Sequence, residues 1–351
     1  MALAAVCVAA APATAARSER SISGWHVISL GISGKHVVVA KSSPARIVPG
    51  GFTIFRTDTV RFGLNANRLT GKRTEDIVYR TSAGPTSGGP ISGDTTGRYI
   101  IVVTGRGTPP QPVFCCTSEP RDIPLEPDGR PDAPVAVAAA LDGPWARYIL
   151  HNPDGTDTLV SQNISDAPGQ PMFLRLARPL PGDASTNFAM APGIIASVDA
   201  ATRRVIRLDT TSGTNDVFGG TVLPAEPGEI TKLMVTRTMV VAIERSDSGF
   251  ALVRFDAPSW TKTTIASGSS APRLVAVGDR TVLFLKGTAI MQSTPGRVRQ
   301  LIRPKGTVVA IATDGRRAAF AERSVRGPRK TAIVVTAILQ PPAAYVQGVG
   351  S

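Results

Sequence analysis

Cysteine, histidine and aromatic residues are scarce in this chain of 351 residues: three cysteines, three histidines, three tryptophans, four tyrosines and eleven phenylalanines. The cysteines are Cys7 and the adjacent pair Cys115-Cys116. Neighbouring Cα atoms lie about 3.8 Å apart, below the usual disulfide range that starts near about 4.4 Å, so free thiols are expected and an ordinary disulfide framework is excluded. Two cysteines without a second pair or a nearby histidine also fall short of a four-ligand zinc site, and no metal ligand is assigned. His26, His36 and His151 read as strand or turn residues. The chain contains no Gly-x-Ser-x-Gly elbow, His-Glu-x-x-His pair or glycine-rich phosphate loop, so no catalytic residue and no cofactor is assigned. Few aromatics leave few stacking platforms, which argues against a sugar cleft and against sequence-specific single-strand nucleic-acid binding. No run reaches the 18 or so apolar residues needed to cross a bilayer, and Ala332 to Leu339 is far shorter.

With 42% hydrophobic and 19% charged residues, the chain can bury a core. It also carries 34 glycines and 29 prolines, which long helices do not tolerate, so turns must be frequent. A phrase recurs seven times, in which a turn with Gly, Asp or a basic residue runs straight into about four apolar residues. Anchored on Val37, Ile100, Tyr148, Ile194, Met239, Val282 and Ala318, the copies are 63, 48, 46, 45, 43 and 36 residues apart. The fifth copy shows a whole unit: Ile230 to Val235, Met239 to Ile243, Ala251 to Phe255 and Thr261 to Ala266 each read as a short strand. Four strands in that length fit one blade of an all-β propeller, whose inner two strands are expected to be buried on both faces. No amphipathic stretch long enough for an α/β crossover occurs, and stacked β-sandwiches do not require one phrase to recur at this interval. Seven four-stranded blades fit best. The long first interval has strand candidates of its own at Phe52 to Arg56, Thr59 to Phe62 and Ile77 to Arg80, so six or eight can also be argued.

The phrase Ala312-Thr313-Asp314-Gly315-Arg316-Arg317-Ala318-Ala319-Phe320 resembles the Asp-Gly-Arg strand signature of WD40-like propellers of the TolB-like type. The likeness covers about ten residues here and part of Gly97 to Val103, and the Gly-His and Trp-Asp punctuation of other WD40 repeats is missing. It implies an exported bacterial propeller that binds partners, and it transfers no binding residue. Met1 to Ala16 is an apolar stretch ending in small-x-small patterns at Ala11-Pro12-Ala13 and Ala13-Thr14-Ala15, which reads as a signal peptide, although no basic residue precedes Arg17. The expected organisation is therefore a leader at 1–16 and one propeller over 21–350.

Two features offer themselves for interaction. Residues 105–134 hold eight prolines around Cys115 and Cys116 with Glu119 and Asp122 among nearby acids, and are expected to project as a stiff loop. The net charge is +13, carried by 31 arginines and only eight lysines. Much of the excess gathers late in the chain at Arg297, Arg299, Arg303, Lys305, Arg316, Arg317, Arg326, Arg329 and Lys330, a candidate basic patch for an anionic polymer or lipid headgroup. The functional expectation is a monomeric, non-enzymatic extracytoplasmic binding or scaffolding protein whose partner is a protein or an anionic envelope polymer. The alternative is a hydrolase or lyase with its groups in the central channel.

Overall fold

A computed structural model describes residues 17–23, 27–33, 35–42, 46–48, 52–80, 87–93, 99–105, 108–115, 123–124, 134–164, 175–180, 187–199, 202–210, 217–224, 228–324 and 330–338. Within them each anchor phrase supplies the second strand of an antiparallel sheet, and there are seven sheets. Sheet 1 runs Val27–Ser33, His36–Ser42, Phe52–Asn65, Arg68–Arg80, with a short Arg46–Val48 beside the third strand. Sheet 2 is Ser87–Gly93, Tyr99–Gly105, Thr108–Cys115, Ile123–Pro124, and sheet 3 is Val135–Asp142, Trp145–His151, Asp157–Asn163, Arg175–Pro179. Sheet 4 is Phe188–Ala191, Ile194–Val198, Val205–Thr210, Val217–Val222, and sheet 5 is Glu229–Thr236, Met239–Ser246, Gly249–Asp256, Thr261–Gly268. Sheet 6 is Val275–Gly278, Thr281–Lys286, Ala289–Thr294, Arg297–Ile302. Sheet 7 is Thr307–Thr313, Arg317–Arg323, Lys330–Ala337, and its outer strand is Arg17–Ser23 from the other end of the sequence.

The first strand of each sheet touches the first strand of the next, and sheet 7 touches sheet 1, so the inner strands close a ring around a central channel. The fold is an all-β propeller. Antiparallel order places the turns between first and second strands on one face, called lower here. Turns between second and third strands, and the connections into the next sheet, lie on the upper face.

Apolar side chains fill the spaces between sheets. Ile22, Val37, Phe62 and Ile333 pack between sheets 7 and 1, Val205, Leu233 and Phe255 between 4 and 5, Met239, Val282 and Phe284 between 5 and 6, and Leu283, Phe320 and Val334 between 6 and 7. Fully burying one such side chain contributes about 1.5–3 kcal/mol, so each sheet depends on its neighbours for its stability. Where their burial is described, the second strands are buried along most of their length, as expected for a layer covered on both faces: Met239 to Ile243 and Ile194 to Val198 have no exposed residue. One inner strand departs from the expectation, while Val135–Asp142 and Thr307–Thr313 are mostly buried as expected. Glu229–Thr236 alternates between buried and exposed, because one of its faces looks into the channel rather than at another sheet.

The strand candidates of the long first interval lie together in one long hairpin, Phe52–Asn65 with Arg68–Arg80, inside sheet 1. A further expectation is corrected: 105–134 is not all loop, since Thr108–Cys115 is the third strand of sheet 2. Its outer partner Ile123–Pro124 pairs only with Phe114 and Val113. Pro112 stands in register with Val102, while Pro109 and Pro110 fall at the register shift between Val103 and Gly105, a bulge being one setting in which a strand accepts proline. Cys115 pairs in register with Tyr99, whereas Cys116, Glu119, Asp122 and the leader at 1–16 lie outside the described residues.

Candidate functional site: a cationic cleft on the upper face

Much of the arginine excess is structural. Arg147, 2% exposed, donates through Nε to Ser161 (3.0 Å) and through Nη1 to Asp142 (3.4 Å) and to Thr210 of sheet 4. Burial lowers its pKa, and Asp142 offsets part of that. Arg207 of sheet 4 pairs with Asp209 at 2.7 Å and lies over the Trp260 ring of sheet 5, 5.0 Å from its centroid. Arg254 of sheet 5 grips both oxygens of Asp256 (2.7 and 2.5 Å) and reaches Ser293 and the Arg280 carbonyl of sheet 6 at 3.5 Å. Arg317 of sheet 7 binds Asp314 and donates to the Ala66 carbonyl of sheet 1 at 2.9 Å. These guanidiniums are struts, each reaching from one sheet to the next.

The Asp-Gly-Arg signature has a local cause. Asp314 accepts from the backbone N–H groups of Arg316 and Arg317 (3.0 and 2.8 Å) and from the Arg317 side chain, which fixes the turn that Gly315 makes at φ +87°. The candidate basic patch does not form one surface. Arg297, Arg316 and Arg317 stand at lower-face turns, Arg299 lies along the outer strand of sheet 6, and Arg303, Lys305 and Lys330 stand at the upper face. Arg326 and Arg329 lie outside the described residues.

Arg303 and Lys305 come together instead with Arg273 and Lys286, two residues that the charge reading missed. The four line a cleft of about 750 Å³ on the upper face over sheet 6. One wall is the connection from sheet 5, Ser267 to Arg273, the other is the connection into sheet 7, Arg303 to Gly306, and Phe250, Phe284 and Leu285 make the apolar floor. All four cations are exposed, and among the described residues no carboxylate lines the cleft, the nearest being buried Glu322, which accepts from the Lys305 backbone N–H at 3.0 Å. Arg273 is oriented by a 2.6 Å hydrogen bond to the Val308 carbonyl.

The cleft exists because sheet 6 is short at this end. Its first two strands have four and six residues, against eight and eight in sheet 5 and seven and seven in sheet 7. In the two taller sheets the second strand carries a buried acid near its upper end, Glu244 or Glu322, joined to a cation of the outer strand: Lys262 at 2.6 Å in sheet 5 and Arg17 in sheet 7. Aligned by strand register, sheet 6 has Lys286 at the acid's place and Val298 at the cation's, the latter 44% exposed. This exchange is visible in the repeat itself, where Ile243-Glu244 and Ala321-Glu322 align with Leu285-Lys286.

The channel offers less chemistry. Across the seven inner strands the charged residues are Asp142, already tied to Arg147, Glu229 and Lys232. Among the described residues no group of three or more His, Cys, Asp or Glu side chains is placed to hold a metal ion, and no helix is long and apolar enough to cross a membrane. The inner strands of sheets 1, 2, 3, 5 and 7 share a register shift near their upper ends. In sheet 5 this bulge leaves both Thr231 and Lys232 exposed toward the channel. Lys232 is exposed, and partial desolvation of its ammonium lowers its pKa. A base with a lowered folded pKa costs stability while it is charged in the fold, and the cost fades as pH rises through that pKa toward the unfolded value of about 10.4. Lys232→Met is therefore expected to raise the melting temperature at pH 7, with a gain that shrinks toward pH 10. Melting curves across that range check this; an equal gain at every pH would assign it to packing.

No family model matches this chain, and no curated protein matches it either. Among solved structures, the propeller domain of the Trilobed protease from Pyrococcus furiosus superposes with a TM-score of 0.56 at 7% identity, over 87% of this chain and 94% of that one. A puromycin hydrolase mutant superposes with a TM-score of 0.54 at 14% identity, over 86% of this chain and 50% of that one. The WD40 domain of Toxoplasma gondii coronin gives 0.49 at 10% identity, over 95% and 89%. At these identities the first two likenesses show the fold alone: a β-propeller, the architecture that the Asp-Gly-Arg resemblance implies.

Proposed function

We propose that this chain is a seven-bladed, non-enzymatic binding module working outside the cytoplasm, and that its upper face holds an anionic partner. The observation that carries the reading is the cleft over sheet 6, which Arg273, Lys286, Arg303 and Lys305 line with no carboxylate among the described lining residues. Clustered like charge in a low-dielectric recess focuses its field on counter-ions more than the same charge spread over the surface. The apolar stretch at 1–16 supports export. A hydrolase or lyase in the channel has less support, since acid–base chemistry needs a positioned pair of groups and the described inner strands leave only Glu229 and Lys232 outside a structural ion pair.

Retention of the full chain on immobilised polyphosphate tests the reading. From about 50 to 300 mM salt the Debye length falls from about 14 to about 6 Å, and binding is expected to weaken by about tenfold or more. The variant Arg303→Glu/Lys305→Glu is expected to abolish retention at 50 mM salt, and Arg316→Glu, on the opposite face, to leave it near wild type. Absence of retention at low salt, or equal loss in both variants, rejects an upper-face anion site.

A further inference from the structure

We infer that the cleft over sheet 6 is a site for a compact diphosphate-bearing ligand whose body is apolar or planar. The inference rests on the proposal that the upper face binds anions, and it narrows that proposal to one recess and one chemistry.

Size is the first argument. A recess of about 750 Å³ is that of a small-molecule pocket, and it is bounded on two sides by the connections Ser267 to Arg273 and Arg303 to Gly306. Charge is the second. Lys286 occupies the row where sheets 5 and 7 carry the buried acids Glu244 and Glu322, and the outer-strand cation that neutralises each acid is replaced in sheet 6 by Val298. Sheet 6 thus dispenses with an internal ion pair and leaves a lysine exposed to the recess. Packing does not require a lysine there. Together with the other three exposed cations it makes a like-charged set to which an incoming anion is attracted, most strongly at low salt.

Donor geometry is the third argument. Arg273 is held through one of its N–H groups by the Val308 carbonyl, so its remaining donors are presented in a fixed orientation at little further entropic cost. Arginine forks suit the paired oxygens of phosphoryl groups, and two lysines add mobile point charges. Four cations exceed what a monocarboxylate would neutralise and match a diphosphate. The half-buried Phe250 and Leu285 give the rest of the ligand an apolar contact, and the core residue Phe284 backs them from below.

Titration calorimetry on the full chain at about 50 mM salt tests the inference with two probes, inorganic pyrophosphate and a nucleoside diphosphate. Both are expected to bind with one-to-one saturation, the nucleoside diphosphate about fivefold or more tighter through the apolar floor, worth about 1 kcal/mol. Lys286→Glu, which installs the residue of the neighbouring sheets, is expected to weaken both by about thirtyfold or more at an unchanged melting temperature. Arg316→Glu, exposed on the lower face, is expected to bind as wild type. Failure of both probes to saturate, wild-type affinity in Lys286→Glu, or an equal loss in Arg316→Glu each overturns the inference. Polyphosphate retention without pyrophosphate binding sinks the inference alone; absence of both sinks the anion-binding reading with it.

Discussion

Replacing Gly278 with alanine is expected to lower stability by about 3 kcal/mol or more, the scale of a core overpacking that backbone must absorb. A Cβ on Gly278 would stand 2.2 Å from the amide nitrogen of Gly315 and 2.8 Å from its Cα. Both are backbone atoms, so no side chain can swing aside. Gly315 cannot retreat either, because its own turn lies against Asp279 and is pinned by the Asp314 hydrogen bonds. The two first-to-second-strand turns of sheets 6 and 7 meet here, so the substitution pries the ring apart at one seam. Urea denaturation measures the loss. Gly287→Ala is the matched control: nothing lies within 4 Å of the added carbon, and only the strain of its φ of +59° is expected, about 1 kcal/mol. Similar losses in the two variants would deny the seam its role.

Arg254→Ala is expected to cost about 3 kcal/mol for a different reason. The guanidinium is 1% exposed and spends its donors on Asp256, Ser293 and the Arg280 carbonyl. Truncation leaves Asp256 without its partner and empties the volume of a large side chain between sheets 5 and 6. Asp256 is 30% exposed, so water recovers part of its solvation, which keeps the expected loss at the low end for a broken buried pair. Arg254→Lys is expected to recover less than half, because an ammonium cannot hold both carboxylate oxygens and the neighbouring sheet together. Arg254→Met/Asp256→Asn is expected to be more stable than Arg254→Ala, since it removes the stranded charge and refills the space. Chemical denaturation of the three variants separates these contributions, and a loss below about 1 kcal/mol for Arg254→Ala would make the strut dispensable.

The second strands were the legible part of this fold. Being covered on both faces, they read as unbroken apolar runs, and a turn residue such as Gly193, Arg280 or Gly315 announces most of them. The closing strand Arg17–Ser23 was invisible for the opposite reason. As an outer strand it carries Arg-Ser-Glu-Arg-Ser-Ile-Ser, with Ile22 the sole core residue, and no local pattern reveals that its ladder partner is Lys330–Ala337. The basic residues were legible as a count but not as a surface. Whether an arginine is a strut or a free cation depends on an acid two residues away, as in Arg207-Leu208-Asp209 and Arg254-Phe255-Asp256, and on what the next sheet presents. The cleft needed the difference in height between sheets 5, 6 and 7, a property that no single repeat possesses, although the exchange of Glu for Lys at position 286 left its trace in the sequence.

Because residues 17–23 zip onto 330–336, one strand completes a sheet whose other strands are synthesised far later in the chain. Such a pairing brings together the most distant parts of the chain and is entropically the slowest kind of contact to form. Until it forms, the third strand of sheet 7 shows a naked ladder edge, and the apolar space around Ile22 and Ile333 stands open. A nascent chain therefore has no latch until residues 330–336 are free, and the interval before the latch closes is the point of greatest danger from sticking to its own kind.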